Sequence, residues 1–223
     1  MSLTVYQMPH SPYCIPITQG LSALGVDFET IDITPHTREE VILASDGMSY
    51  QVPMLNHDGH LVVESSAESI DIARYIDRNF AHGRLFPPAG EASHIPLVTF
   101  IENDLELSGF KLVDPSYIGS IADIVAQTLI VRHKERKFGV GCVDEWRANH
   151  AHLFARFVSL LAPCETTLAR QPFLLGDTPV YADFALFGVL ENVTYRGWNT
   201  LPETLIHTGR WRDQIAGFTY PDC

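Results

Sequence analysis

Apolar positions along the first eighty residues change period several times, and each change marks an element. Leu3-Thr4-Val5-Tyr6-Gln7 has the β-branched and aromatic content of a strand. Ile15, Ile17, Leu21 and Leu24 follow a helical spacing, with Gly25 placed as its stop. Phe28, Thr30, Ile31 and Ile33 return to strand spacing, and Thr34-Pro35-His36-Thr37 reads as a loop able to cap a short helix over about 38–45. Val52-Pro53-Met54-Leu55-Asn56 and Leu61-Val62-Val63-Glu64 read as two strands joined across Asp58-Gly59, a two-residue hairpin turn. Ile70, Ala73, Tyr75 and Ile76 form the apolar side of a further helix reaching about residue 80, with Ser66 to Ser69 offering caps. The predicted order is βαβαββα: two parallel-type crossovers followed by a hairpin.

Paired prolines and glycines then interrupt the pattern, and we read 83–92 as a linker. No strand pattern follows it. Helical spacing runs over about 93–112, 116–137, 144–170, 180–195 and 203–216, with breaks at Asp114-Pro115, Gly139-Val140-Gly141, Gln171-Pro172 and Leu201-Pro202. Ile118, Ile121, Ala122, Val125, Leu129 and Ile130 fall on one face and predict a buried helix. The expected organisation is an α/β domain over 1–82 and an all-α helical-bundle domain over 93–223.

Composition narrows the classes. A 223-residue chain with 46% hydrophobic and 19% charged residues has the make-up of one or two globular domains. No apolar run reaches the ~18 residues that would span a bilayer. The N-terminus has no basic region leading into an apolar core, so a cytoplasmic location is expected and no membrane partner. A net charge of −12 argues against nucleic acid. The one basic cluster, Arg132-His133-Lys134-Glu135-Arg136-Lys137, closes a predicted helix and reads as a solvated helix end that offsets the dipole. Cys14, Cys142, Cys164 and Cys223 form no Cys-x-x-Cys pair, and the ten histidines include no His-Glu-x-x-His. His57 and His60 merely flank the turn at Asp58-Gly59, so no metal is expected.

Candidate chemistry concentrates in Met8-Pro-His-Ser-Pro-Tyr-Cys-Ile-Pro-Ile17. Ser11 followed by Pro12 opens a helix, because serine caps orphan N–H groups and proline tolerates the first helical position. The Ser11 hydroxyl and the Cys14 thiol thus share a first turn where free amides and the dipole favour an anion. That setting suits binding or generating a thiolate. Pro53 cannot donate to a strand ladder and belongs at a strand start or edge. A cis bond before it would turn the Val52 backbone outward, leaving its N–H and C=O to a ligand.

A βαβαββα unit with a hydroxyl or thiol at the first helix start and Val-Pro entering the third strand is the thioredoxin-like pattern. With an all-helical domain after it, the chain resembles a glutathione S-transferase over nearly its full length. The motifs are Ser11-Pro12-Tyr13-Cys14, Gln51-Val52-Pro53, Glu64-Ser65-Ser66-Ala67, and Leu175-Gly176-Asp177 with Ala182-Asp183 downstream. The resemblance implies glutathione as co-substrate, with the Ser11 hydroxyl donating to its sulfur and lowering the pKa of the bound thiol. It implies that the Val52 backbone ahead of a cis Pro53 pairs with the cysteinyl backbone of glutathione. Glu64 and Ser65 would hold the γ-glutamyl group, Gln51 would add a contact, and His36 or Arg38 would meet the glycyl carboxylate. Tyr13, Phe110 and Tyr117 are candidate walls for a small hydrophobic electrophile. A homodimer is expected, through the helix of 66–80 and the one starting near 93.

Two positions depart from the family pattern. Members with thiol–disulfide chemistry carry Cys where Ser11 stands, whereas this chain has its Cys at the fourth position. The helical domain ordinarily has Ser or Thr three residues before its capping Asp, whereas Val180 precedes Asp183 here. The implied function is a glutathione-dependent transferase that attacks an electrophile, with isomerisation or ether cleavage as variants. The alternatives are a non-catalytic binding or structural relative, and a Cys14-based thiol–disulfide oxidoreductase or peroxidase.

Overall fold

Four strands form one mixed sheet in the order β2-β1-β3-β4: β1 is Leu3–Gln7, β2 Glu29–Asp32, β3 Met54–His57 and β4 His60–Val63. The computed structural model describes residues 2–65 and 70–221. β1 pairs in parallel with β2, Val5 opposite Thr30, and antiparallel with β3, Val5 opposite Leu55. Only the first crossover is therefore parallel, which corrects the expectation of two. Alternating element types show that a crossover exists, but not from which end of the sheet the next strand enters. The β3–β4 hairpin turns at Asp58 and Gly59, both with the positive φ (50° and 89°) that its tight turn requires.

Helix α1 (Cys14–Ala23) buries Ile17 and Leu21 in the same apolar core as Val5, Leu55 and Ile72. Helix α2 (Glu39–Ala44) is braced by Glu40, whose carboxylate accepts from the Thr34 N–H and hydroxyl at 3.0 and 2.7 Å. Helix α3 (Asp71–Ile76) continues through a π-helical turn at Asp77–Ala81. The Ser66-Ala67 half of the third motif, and the caps expected at Ser66 to Ser69, lie outside the described residues. Within the expected linker, Leu85 and Phe86 are buried, and the Asp77 carboxylate accepts both of their N–H groups at 2.9 and 3.4 Å.

The second half is helical: α4 (Glu91–Phe100), a π-helical turn at Ile101–Leu105, α5 (Glu106–Ser120), α6 (Ile124–Phe138), α7 (Cys142–Ala148), α8 (His150–Leu168), α9 (Tyr181–Val193) and α10 (Ile206–Ala216). Two expectations fail here. The helix does not break at Asp114-Pro115; α5 runs through Pro115, because Leu112, Val113 and Ile118 bury on either side of it. The break falls at 121–123, where Asp123 caps α6 by accepting from the Val125 N–H at 2.8 Å. The six-residue apolar face drawn across 118–130 is thus split between two helices. Ile118 is core, whereas Ile124 and Val125 are 69% and 61% exposed.

Helix α9 is buried along almost its whole length and is the seam between the halves. The Asp183 carboxylate accepts from Leu174 N, Val180 N and Trp211 Nε1 at 2.9–3.0 Å. With no hydroxyl at position 180, the Asp183 N–H donates to the Val180 carbonyl at 2.9 Å instead. His94 Nε2 accepts from the Ala182 N–H at 3.0 Å, a further cap reaching in from α4. At the other end Gly188 lets α9 lie against α1: a Cβ there would stand 2.6 Å from Pro16 Cδ and 2.7 Å from the Pro12 carbonyl oxygen.

Candidate functional site

Ser11 sits at the mouth of α1, 4% exposed. Its carbonyl accepts from Cys14 N and Ile15 N, both at 3.1 Å, so it is the capping residue in the hydrogen-bonding sense. Its Oγ accepts from Tyr13 N at 3.2 Å and Cys14 N at 3.4 Å. A hydroxyl has two acceptor lone pairs and one proton. With both lone pairs turned toward backbone amides, what the group has left to offer is its proton, which here faces the Cys14 sulfur.

Cys14, the neighbouring candidate, is fully buried. Burial pushes its thiol up to about 11, against hydrogen bonds from the Ser11 side chain and the Met8 backbone that act the other way. Catalytic cysteines sit in partly exposed settings that depress the thiol; this environment does the reverse.

A cavity of about 850 Å³ opens between the sheet half and the helical half. Ser11, Tyr13, Gln51, Val52, Pro53, Glu64, Phe110 and Tyr117 line it, while Cys14 and Ser65 are not among its lining residues. The Val52–Pro53 peptide bond is cis. The Glu64 carboxylate takes the first α3 amides, Asp71 N at 2.7 Å and Ile72 N at 3.3 Å. Ser65 donates through both its N–H and its hydroxyl to Asp71 Oδ2, at 2.7 and 2.9 Å. A carboxylate arriving at Ser65 therefore has to replace Asp71 as the hydroxyl's acceptor. His36 and Arg38 both line the cavity, and Arg38 Nη1 donates to the Tyr50 carbonyl at 2.9 Å.

Buried acids lie under and beside the cavity. Desolvation raises Glu64 and Glu106 to about 7 and Glu102 to about 8. Tyr13 hydrogen-bonds Glu106, and the Tyr181 hydroxyl donates to Glu102 Oε1 at 3.5 Å. Burial and the nearby acids push the Tyr13 phenol above its ordinary value, so it stays protonated. Phe110 belongs half to the cavity and half to an aromatic cluster, 5.2 Å from Phe138 and 5.4 Å from Trp146 between ring centres. Tyr117 faces the His10 ring at 4.3 Å. Burial, then the fields of Arg196 and Lys134, lower His10 to about 4, leaving a neutral imidazole beside Ser11.

His10, Glu106, Asn192 and the cations of α6 line the cavity without any of them being expected there from the sequence. Their signal is weak because it is spatial. Asn192 enters by donating to the His10 carbonyl at 2.6 Å across 182 residues. The basic cluster of α6, expected to be a solvated helix end, contributes His133, Lys134, Arg136 and Lys137 to the cavity wall. His133, Arg136 and Lys137 are exposed, as a solvated helix end should be; what periodicity does not give is the cavity that stands opposite them.

Residues 1–78 match the family model of the glutathione S-transferase N-terminal domain, and residues 144–218 match that of its C-terminal domain. The chain belongs to the glutathione S-transferase superfamily. A probable glutathione S-transferase of Nicotiana tabacum is 24% identical over 210 residues, covering 92% of this chain and 79% of the relative. Among solved structures, Salmonella typhimurium glutaredoxin 2 in complex with glutathione superposes with a TM-score of 0.73 at 20% identity, over 96% of this chain and 93% of that one. A glutathione S-transferase from Xanthobacter autotrophicus superposes with a TM-score of 0.66 at 20% identity, over 97% and 94%. These likenesses agree with the thioredoxin-like sheet followed by a helical domain.

No helix among the described residues is long and apolar enough to cross a membrane, and no cluster of three or more His, Cys, Asp or Glu there could hold a metal ion.

Proposed function

We propose that this glutathione S-transferase superfamily member binds reduced glutathione in the cavity and activates its thiol for attack on a small electrophile. The observation that carries the reading is the Ser11 hydroxyl: capped onto two amides and lining the cavity, with a proton that a bound thiolate would draw away from the Cys14 sulfur. Donation to a thiolate favours the charged sulfur and lowers its pKa, and the α1 amides add positive potential at the same point. Val52 ahead of the cis Pro53 would pair with the cysteinyl backbone, Glu64 and Ser65 with Gln51 would hold the γ-glutamyl end, and Arg38 or His36 the glycyl end. Tyr13, Phe110 and Tyr117 would face the electrophile. In this reading residues 1–82 are the glutathione unit, 83–92 the connection and 93–223 the helical unit. The protein works in the cytoplasm as a homodimer through α3 and α4.

A second reading, glutathione-dependent thiol–disulfide exchange at Cys14, draws on the likeness to a glutaredoxin in complex with glutathione. The full burial of Cys14 and its raised pKa weigh against it. A non-catalytic relative would have no need of the Ser11, Val52-Pro53 and Glu64-Ser65 set.

Calorimetric titration with reduced glutathione up to millimolar concentration tests the proposal. Saturable heat is expected, together with protection against thermal unfolding of about 2.7 kcal/mol at ~100 times the dissociation constant. No heat and no protection would end it.

A further inference from the structure

The protein carries a net charge of −12, yet six basic side chains from two elements line its cavity: His36 and Arg38 from the loop after β2, and His133, Lys134, Arg136 and Lys137 from α6. The three acids on the same wall are already engaged. Glu64 caps α3, Glu106 is hydrogen-bonded to Tyr13, and Asp114 Oδ2 lies 2.5 Å from Lys134 Nζ. Among the described residues Arg38, Arg136 and Lys137 take part in no ion pair. With Arg38 and His36 reserved for the glycyl end of glutathione, Arg136 and Lys137 are left over.

Their place on α6 gives the surplus a direction. Leu129, Ile130, His133, Lys134 and Lys137 follow helical i, i+3 and i+4 spacing along one side, and all line the cavity. One turn offers apolar surface and the next offers positive charge. The helix dipole accounts for cations in a last turn, but not for their facing a cavity that a second element also lines with a cation. The two sets act on one space: after burial, the fields of Lys134, Lys137, Arg136 and Arg38 push the His133 imidazole below its ordinary range. Gathered like charges repel until an anion arrives, and a cleft with a local excess of one sign concentrates such ligands.

We infer that the acceptor substrate is an amphipathic acid, its aromatic or aliphatic body against Leu129, Ile130 and Phe110 and its carboxylate at Arg136 and Lys137. For the reaction this rests on the transferase reading; for the binding it does not. With a chlorodinitrobenzoate as acceptor, the glutathione sulfur forms a C–S bond at the ring carbon bearing chlorine. The C–Cl bond breaks, chloride leaves with the electron pair, and the thiol proton passes to solvent.

Two probe pairs test the inference on the full chain. The first is anilinonaphthalene sulfonate against phenylnaphthylamine, which share a ring system and differ in the anionic group, titrated by fluorescence with glutathione present. The anionic probe should bind roughly tenfold tighter at low salt, with the preference shrinking as salt rises. The preference should collapse in R136Q/K137Q and persist in R147Q/R156Q, which removes the same charge from α7 and α8. The second pair is a chlorodinitrobenzoate against its methyl ester, compared by kcat/KM for conjugation, where the same pattern should appear. Equal binding of the two naphthyl probes, or equal loss of preference in both double variants, overturns the inference. A retained anion preference with no thiol consumed supports the anion site and overturns the transferase reading alone.

Discussion

The Asn192 side-chain amide donates to the His10 carbonyl over 2.6 Å, so the helical half grips the peptide immediately before Ser11. One turn earlier on the same helix, Gly188 meets Pro12 and Pro16 with no room for a methyl group. Gly188→Ala should therefore press on the Ser11 loop itself. We expect a loss of about 1–3 kcal/mol in urea unfolding, the usual cost of overpacking, and a fall in conjugation larger than that of a surface Gly→Ala such as Gly119→Ala. A variant with parent stability and turnover would show that the seam yields freely.

Ser11→Ala should lower glutathione-conjugating turnover roughly tenfold to a thousandfold, about 1.4–4 kcal/mol, as when a donor to a developing anion is removed. It should also cost about 0.5–2 kcal/mol of stability, because two amides lose their cap. Cys14→Ser should keep turnover within a few-fold. The pH–rate profile should place the bound thiol below its free value in the parent and near it in Ser11→Ala. Abolition of activity by Cys14→Ser, with a mixed disulfide at Cys14 seen by mass spectrometry, would replace the serine mechanism with thiol exchange.

Stability should peak in acidic solution. Glu64, Glu102 and Glu106 have folded pKa values raised to about 7, 8 and 7, so between the unfolded value and these the folded chain holds protons that the unfolded chain has released. Their contribution is complete below the unfolded pKa and is lost as pH rises through the folded values. It falls by up to about 1.4 kcal/mol per pH unit for each carboxyl. His10 and His94, lowered to about 4, work oppositely: unfolding takes up protons below about 6.5, so stability falls as the solution is acidified. With three carboxyls against two imidazoles, the two limbs cancel near pH 4 to 4.5. Urea titrations from pH 3.5 to 8.5 should show this maximum, and Glu102→Gln should flatten the alkaline limb. An alkaline limb as steep in Glu102→Gln as in the parent would remove that carboxyl from the account.

Arg38→Ala should raise the dissociation constant for glutathione about five- to fiftyfold, as for loss of a charge-assisted carboxylate contact, and should reduce its salt dependence. His36→Ala should do less, because an imidazole presents fewer donors than the forked guanidinium. Calorimetry on both variants decides which side chain meets the glycyl end.

Light scattering at micromolar concentration should give about twice the 24.9 kDa chain mass. Arg74 of α3 and Glu91 of α4 already form an ion pair that fastens the two helices of the expected interface to each other. A mass near that of one chain would exclude the dimer.

What could be read from the chain was local. Asp58-Gly59 demanded a hairpin, Val52-Pro53 marked a strand entrance, and Ser11-Pro12 a helix start, because each pairs a backbone need with a residue type that meets it. Pro115 misled for the complementary reason. Its local chemistry reads as a break, and burial of Leu112, Val113 and Ile118 overrode it. The cations of α6 were legible as a cluster but not as a wall, since facing depends on where two distant elements come to rest. Asn192 gave no signal at all, its partner being a backbone carbonyl on another element.

The grip of α9 on α1 has a consequence for the growing polypeptide. Asn192 follows His10 by 182 residues, and Gln19 meets the Ile215 carbonyl across 196. At about 5–20 residues per second, the nascent sheet unit waits on the order of ten to forty seconds with the outer side of α1 bare. Ribosome-bound chaperones then have a defined stretch to shield, and synonymous codon changes that slow elongation between the two elements should lower soluble yield without altering the finished protein.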